Sequence, residues 1–248
     1  MMLQNKDLAS LKNLFKEESK KIVDMNFTAT KMKIGLGIDK DLELVNSVRD
    51  SVGKDFKLMV DANHAYTTPD ALKLGKGLEG LNIYWFEEPV APEDLNGYKE
   101  LKSKLNINIA GGEAEFTRWG WNNLIKNNCI DIAQPEVCAL GGISEYLKVL
   151  NLAHTNFIPV INHVWGSAIS VAVNLHLLTA MPDIPGGLYP TKSMLEFDTT
   201  HNLFLTELTN EGFSIFEQVK SKNGYASAPE GHGIGLTPNI EVLEKLKV

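Results

Sequence analysis

Cysteine is almost missing from this chain: Cys129 and Cys138 are the only two among 248 residues. Neither has a partner at metal-type spacing and both sit in apolar stretches. A disulfide framework and a thiolate metal site are therefore excluded, and reduced structural thiols are expected. Positive charge is in deficit as well. Lys and Arg number 24 against 31 Asp and Glu, for a net charge of −7, and without basic clusters the chain is a poor binder of nucleic acid. No apolar run is long enough to span a bilayer, and the start, Met1-Met2-Leu3-Gln4-Asn5-Lys6-Asp7, has no apolar leader region. No membrane contact and a cytoplasmic location are expected. What remains is an ordinary soluble composition, 44% hydrophobic and 22% charged, with no break that divides it into two comparable domains.

Carboxylates, by contrast, fall on a beat. Asp61 in Val60-Asp61-Ala62-Asn63, Glu87 in Trp85-Phe86-Glu87-Glu88-Pro89 and Glu113 in Gly111-Gly112-Glu113 follow one another at steps of 26 residues. Each comes just after a short apolar run and before a polar loop and a helix-like segment. That is the pattern of acids at the carboxyl ends of successive strands in a repeated β/α unit, and in a β/α barrel those ends converge on one mouth. Three carboxylates at close range repel and desolvate one another, so they are stable as a cluster only around a cation. Oxygen donors alone point to a hard ion, with magnesium the first choice.

Hydrophobic periodicity predicts helices over 8–25, 40–52, 68–78, 95–105, 119–126, 143–155 and 168–180. It predicts strands over 29–35, 57–61, 83–87, 109–113, 131–134, 159–163 and 194–197. The alternation argues for an α/β fold, a parallel sheet with helices outside, of the TIM-type (β/α) barrel kind. Seven strands are one short of closure, and the first is the one lacking, because the chain opens on the helix that should follow it. The expected domains are a barrel over 1–212 and, over 213–248, a C-terminal β excursion and tail packed on it. The excursion covers about 213–235, with Asn223-Gly224 as its hairpin turn.

Other residues join the acids. Lys31 and Lys33, two apart in a strand, share one face while Met32 and Ile34 share the other. Facing the acids, the lysines gain a role: a desolvated lysine near other cations loses its proton more readily and serves as a general base. Lys-x-Lys also fits an edge strand with both ammonium groups in water. His163 ends the strand 159–163, one unit after Glu136 in Gln134-Pro135-Glu136. An acid beside a histidine fixes its tautomer and makes an acid/base dyad. Glu196 is the corresponding residue of the last strand, equally a rim carboxylate or a hydrogen-bonding partner of the substrate. Asn63 points to the same side as Asp61 and is placed to touch a substrate or a ligand. Arg118 would hold a distal carboxylate, or stand solvated in its loop.

In this order and spacing, Lys31-x-Lys33, Asp61-x-Asn63, Trp85-x-Glu87-Glu88-Pro89, Gly112-Glu113, Asp131-x-x-Gln134-Pro135 and His163 resemble the mandelate racemase/muconate lactonizing enzyme-like subgroup of the enolase superfamily. The resemblance runs over about 29–235. It implies that Asp61, Glu87 and Glu113 ligate magnesium and that Lys33 is the base on one face of the substrate, supported by Lys31. It further implies that His163 with Glu136 is the acid/base on the other face, that Glu196 hydrogen-bonds the intermediate, and that Asn63, Lys31, Trp165 and Arg118 contact substrate. The reaction implied is removal of the proton α to a carboxylate through an enediolate. Asn162-His163-Val164-Trp165-Gly166-Ser167 is most similar to members acting on sugar acids and their lactones. Dehydration of an aldonate or aldarate is thus expected first, with racemisation or epimerisation and lactone cycloisomerisation behind it.

Two departures stand out. The dyad acid of the family is usually aspartate, and Glu136 is expected to keep the pairing. Family members also carry an N-terminal α+β capping domain and a first barrel strand before the point where this sequence starts. An inactive remnant, or one subunit of a split enzyme whose partner supplies strand and cap, is the competing reading, and open sheet edges favour a homo-oligomer or such a partner. A metal-dependent aldolase or hydrolase explains the acids but not the lysine pair together with the histidine dyad.

Overall fold

The computed structural model describes residues 7–182, 193–200, 202–222 and 224–247. Contacts divide the chain into two compact units, one made of the residues up to Gly112 with Gly120–Ile132, the other of Glu113–Trp119 with Ala133 onward.

In the first unit a helix follows each strand. The strands β1 (Ala29–Lys33), β2 (Lys57–Asp61), β3 (Ile83–Glu87), β4 (Asn108–Gly111) and β5 (Ile132–Ala133) lie side by side in sequence order, and β1 to β4 pair in parallel. The interiors of β2, β3 and β4 are largely buried on both faces, which is why they read as continuous apolar runs rather than alternating ones. Helices α1 (Leu8–Asp24), α2 (Ile38–Val52), α3 (Thr68–Leu78) and α4 (Leu95–Lys104) bury one stripe each. Leu44, Val45 and Val48 do so for α2, and Ala71, Leu74 and Leu78 for α3. Asp7 and Asp94 cap α1 and α4 by accepting from Ser10 N–H and Gly97 N–H. The buried Arg49 guanidinium donates to the carbonyls of Gly53, Phe56, Leu81 and Asn82, tying the amino ends of β2 and β3 to α2.

Within two residues of its end, each of the first four strands is followed by a residue in the left-handed region. These are Gly35 (φ 111°), Asn63 (φ 40°) with His64 (φ 64°), Glu88 (φ 40°) and Gly112 (φ 112°). The chain thus turns sharply where each strand ends. At Gly112 no side chain fits, because a Cβ would lie 2.3 Å from the ring of the fully buried Trp121.

The second unit carries α6 (Ile143–Thr155), α7 (Ala168–Ala180), α8 (Leu203–Thr206), α9 (Gly212–Ser221) and α10 (Ile240–Lys245), while α5 (Thr117–Lys126) begins in it and ends in the first. Val164, Val171, Leu175, Leu205, Ile215 and Phe216 form a core with Leu195 and Phe197 packed against it.

Three expectations are corrected here. The strand expected over 159–163 is reduced to a single parallel bridge, Val160 to Ala133. The strand expected over 194–197 is not formed; Leu195 and Phe197 pack on the core, but no neighbouring backbone pairs with them among the described residues. The β excursion expected from 213 is the helix α9, whose buried Ile215, Phe216 and Val219 follow helical spacing. The expected boundary at 212/213 falls in the first turn of that helix, and Asn223 of the expected hairpin turn lies outside the described residues. Among the described residues no helix is long and apolar enough to cross a membrane.

Gly112→Ala adds both a left-handed strain and a collision with Trp121, and is expected to cost about 3 kcal/mol or more in urea unfolding. Gly53→Ala, where φ is 83° and nothing lies within 4 Å, is expected to cost only about 1 to 2 kcal/mol. Equal costs at the two positions would contradict the assigned packing.

Candidate metal and acid/base site

The register of the first unit puts charges in a row. Lys33 pairs with Asp61 across β1 and β2, and Asp61 with Glu87 across β2 and β3. Directly paired residues of parallel strands point the same way, so two carboxylates sit side by side on neighbouring strands about 4.8 Å apart. Both are fully buried. The ammonium of Lys31 lies between them, 2.5 Å from Glu87 Oε1 and 3.5 Å from Asp61 Oδ2, and Lys33 donates to Asp61 Oδ2. Met32 and Ile34 are buried on the opposite side. Burial works against an ionised Asp61, but Lys31, Lys33 and the backbone N–H of Asn63 outweigh it and hold its pKa below the usual carboxylate value.

Further groups brace these acids. The Trp85 indole N–H donates to Glu87 Oε2 at 2.8 Å. The left-handed Asn63 gives its backbone N–H to Asp61 Oδ1 at 2.9 Å, while its side chain is exposed. His64 donates its backbone N–H to the Glu88 carbonyl at 2.9 Å and sets Nε2 3.1 Å from the buried Glu88 carboxylate. Buried Asp41 accepts from Gly35 N–H, Leu36 N–H and the Tyr66 hydroxyl, joining the turn after β1 to the loop after β2.

The second unit assembles the dyad. His163 Nδ1 is 2.9 Å from Glu136 Oε2, and its Nε2 is 3.2 Å from Glu113 Oε2. Glu136 keeps its other oxygen on the Cys138 N–H at 2.9 Å. Glu196 accepts the backbone N–H of Val164 at 3.0 Å, one residue past the histidine. The ring is thus held from Nδ1 and the chain behind it from Glu196, an arrangement suited to moving a proton at Nε2.

The other expected contacts are placed differently. Arg118 pairs with Glu145 at 3.0 Å and lies over the Trp119 ring, so its guanidinium is already engaged on α6. Trp165 is 72% exposed and open to a ligand. Sequence reasoning missed the bracing roles of Trp85, His64, Asp41 and Tyr66. Only Trp85 had a readable signal, its two-residue spacing from Glu87 on one strand face.

The enolase C-terminal domain-like family matches residues 14–242. The chain belongs to that family. A D-galactarolactone cycloisomerase of Agrobacterium fabrum is 36% identical over 222 residues, which are 90% of this chain and 57% of that protein. An arabinonate dehydratase of Saccharolobus solfataricus is 33% identical over 245 residues, 98% of this chain and 61% of the relative. A crystal structure of an L-talarate/galactarate dehydratase mutant, liganded with Mg and L-glucarate, superposes with a TM-score of 0.79 at 27% identity and covers 96% of this chain and 54% of that one. The chain therefore spans about three fifths of the length of the relatives it matches. The resemblance read from the motifs and the TIM-type α/β fold class both hold.

Asp61 and Glu87 fit a divalent cation: two buried, all-oxygen donors that share positive charge from Lys31. Without added metal, Lys31→Met removes the ammonium that the two acids share and leaves Asp61 to Lys33, and urea unfolding in EDTA is expected to show a loss of about 3 kcal/mol. A Lys31→Met/Glu87→Gln double variant should recover most of it. A loss below about 1 kcal/mol in the single variant would contradict this picture.

Proposed function

We propose that this chain carries the magnesium-dependent site of an enzyme that removes the proton α to the carboxylate of a sugar acid, and that the reaction is dehydration of an aldonate or aldarate. The observation that carries the reading is the row Lys33, Asp61, Glu87 with Lys31 between the acids. Nothing in a structural core requires two buried lysine-bridged carboxylates at strand ends. Asp61, Glu87 and Glu113, the acids on the 26-residue beat, are the proposed ligands. Bound there, magnesium supplies Lewis-acid polarisation of the substrate carboxylate, which acidifies the α proton.

Lys33, at the exposed end of its strand, takes that proton, while Lys31 keeps the site positive where negative charge develops. His163, oriented by Glu136, gives a proton to the departing β-hydroxyl, so that water leaves and the resulting enol reverts to a 2-keto acid. Among substrate contacts, Asn63 and Trp165 remain candidates because both are exposed beside the reacting groups of their own units. The pairing of Arg118 with Glu145 argues against that residue.

The identity to a lactone cycloisomerase supports a second outcome of the same proton abstraction, in which the leaving oxygen belongs to a ring; the product distinguishes the two. Aldonates, aldarates and their lactones are to be screened in D2O with millimolar magnesium, following loss of the C2 proton and formation of 2-keto-3-deoxy acid. The expected result is turnover that stops in EDTA and falls by about 10²- to 10⁴-fold in Lys33→Ala and in His163→Asn. Turnover indifferent to both substitutions would overturn the reading.

A further inference from the structure

We infer that Tyr146, Asn162 and Asn174 are positioning residues that aim His163, a role that rests on the acid/base reading of that histidine. Asn162 immediately precedes it, two residues past the bridge from Val160 to Ala133. In extended chain, successive side chains leave on opposite sides, and here Asn162 turns into the packing of α6 and α7 while His163 turns to Glu136 and Glu113. The Tyr146 hydroxyl donates to Asn162 Oδ1 at 2.7 Å, Asn162 Nδ2 donates to Asn174 Oδ1 at 2.7 Å, and Asn174 Nδ2 donates to the Ser170 carbonyl at 2.9 Å. Asn162 is 1% exposed and the other two are wholly buried.

The chain of bonds has one polarity. The Ser170 carbonyl only accepts, so Asn174 must present Nδ2 to it and Oδ1 to Asn162, which fixes the Asn162 amide in turn. Burial pushes the Tyr146 hydroxyl up to about 12, the bond to Asn162 opposing the rise, so it stays a donor through the physiological range. Three buried polar side chains cost desolvation that apolar residues of the same size would not. What they add is a single geometry: α6 and α7 both hold the residue before the histidine, while Glu196 holds the N–H of the residue after it.

The test uses the full chain with magnesium and both C2 epimers of an accepted sugar acid, reading α-proton exchange with D2O. On the proposed mechanism one epimer exchanges through Lys33 and the other through His163. Tyr146→Phe, which removes one oxygen, is expected to lower the His163-dependent exchange by about 10- to 100-fold in kcat with KM unchanged. Exchange through Lys33 should stay within about twofold. Val149→Ala, a core truncation on the same helix, is the control and should not separate the two faces. Tyr146→Phe lowering both faces together, or neither, overturns the inference.

A second readout needs no turnover. In 15N-histidine-labelled protein at one fixed pH, the His163 Nδ1–H resonance is expected in the parent and in Val149→Ala, and lost or broadened in Tyr146→Phe. An unchanged resonance in Tyr146→Phe contradicts the inference. A parent that exchanges neither epimer sinks the proposed function, and this resonance then decides the positioning role by itself.

Discussion

Two carboxylates forced into one row of a parallel sheet are the constraint on which the rest of this structure depends. Once β2 pairs with β3 in the observed register, Asp61 and Glu87 cannot avoid each other, and burial removes the water that would screen them. Only positive charge makes such a row tolerable. Lys31 and Lys33, brought in on β1, supply it, and the depressed pKa of Asp61 shows that their attraction wins over desolvation. The same arrangement that stabilises the row makes it useful. It is a preformed set of buried carboxylate oxygens with lysine ammonium groups at its edge.

The turns after the strands serve that row. Left-handed residues end β1 to β4 and let the chain leave abruptly, so that the last residue of a strand stays fixed by the ladder while the next is free for other work. Glu87 and Glu88 illustrate this. The first is braced by Trp85 and Lys31, and the second, one residue on, pairs with His64. Beside His163 the parallel ladder thins to an isolated bridge at Val160, and side-chain hydrogen bonds take over the positioning of that histidine.

Most of the first unit was legible in the sequence, because doubly buried strands and amphipathic helices write different periods. The limits of β2, β3, α3, α6 and α7 follow directly from where those periods begin and end. The carboxylate beat was legible for the same reason, since each acid marks a strand end. What failed depended on partners. Leu195 and Phe197 alternate as in a strand, but a strand exists only where another pairs with it. The segment 213–235 stands outside the repeat and carries Asn223-Gly224, a hairpin signal that suggests a β excursion, whereas the i, i+1, i+4 spacing of Ile215, Phe216 and Val219 specifies α9. The engagement of Arg118 with Glu145 and of Tyr146 with Asn162 joins residues 27 and 16 positions apart with no shared motif. Such contacts are set by helix packing and leave no local trace.

The claim that Asp61 and Glu87 belong to a divalent-cation site is tested most directly by the thermal midpoint of the chain in EDTA and in millimolar magnesium, measured beside Asp61→Asn. A ligand at about a hundred times its Kd adds roughly 2.7 kcal/mol, equivalent to a few degrees for a chain of this size. The account predicts that rise in the parent and its absence in the variant. A folded parent whose midpoint does not respond to magnesium, or a variant that responds equally, would contradict it.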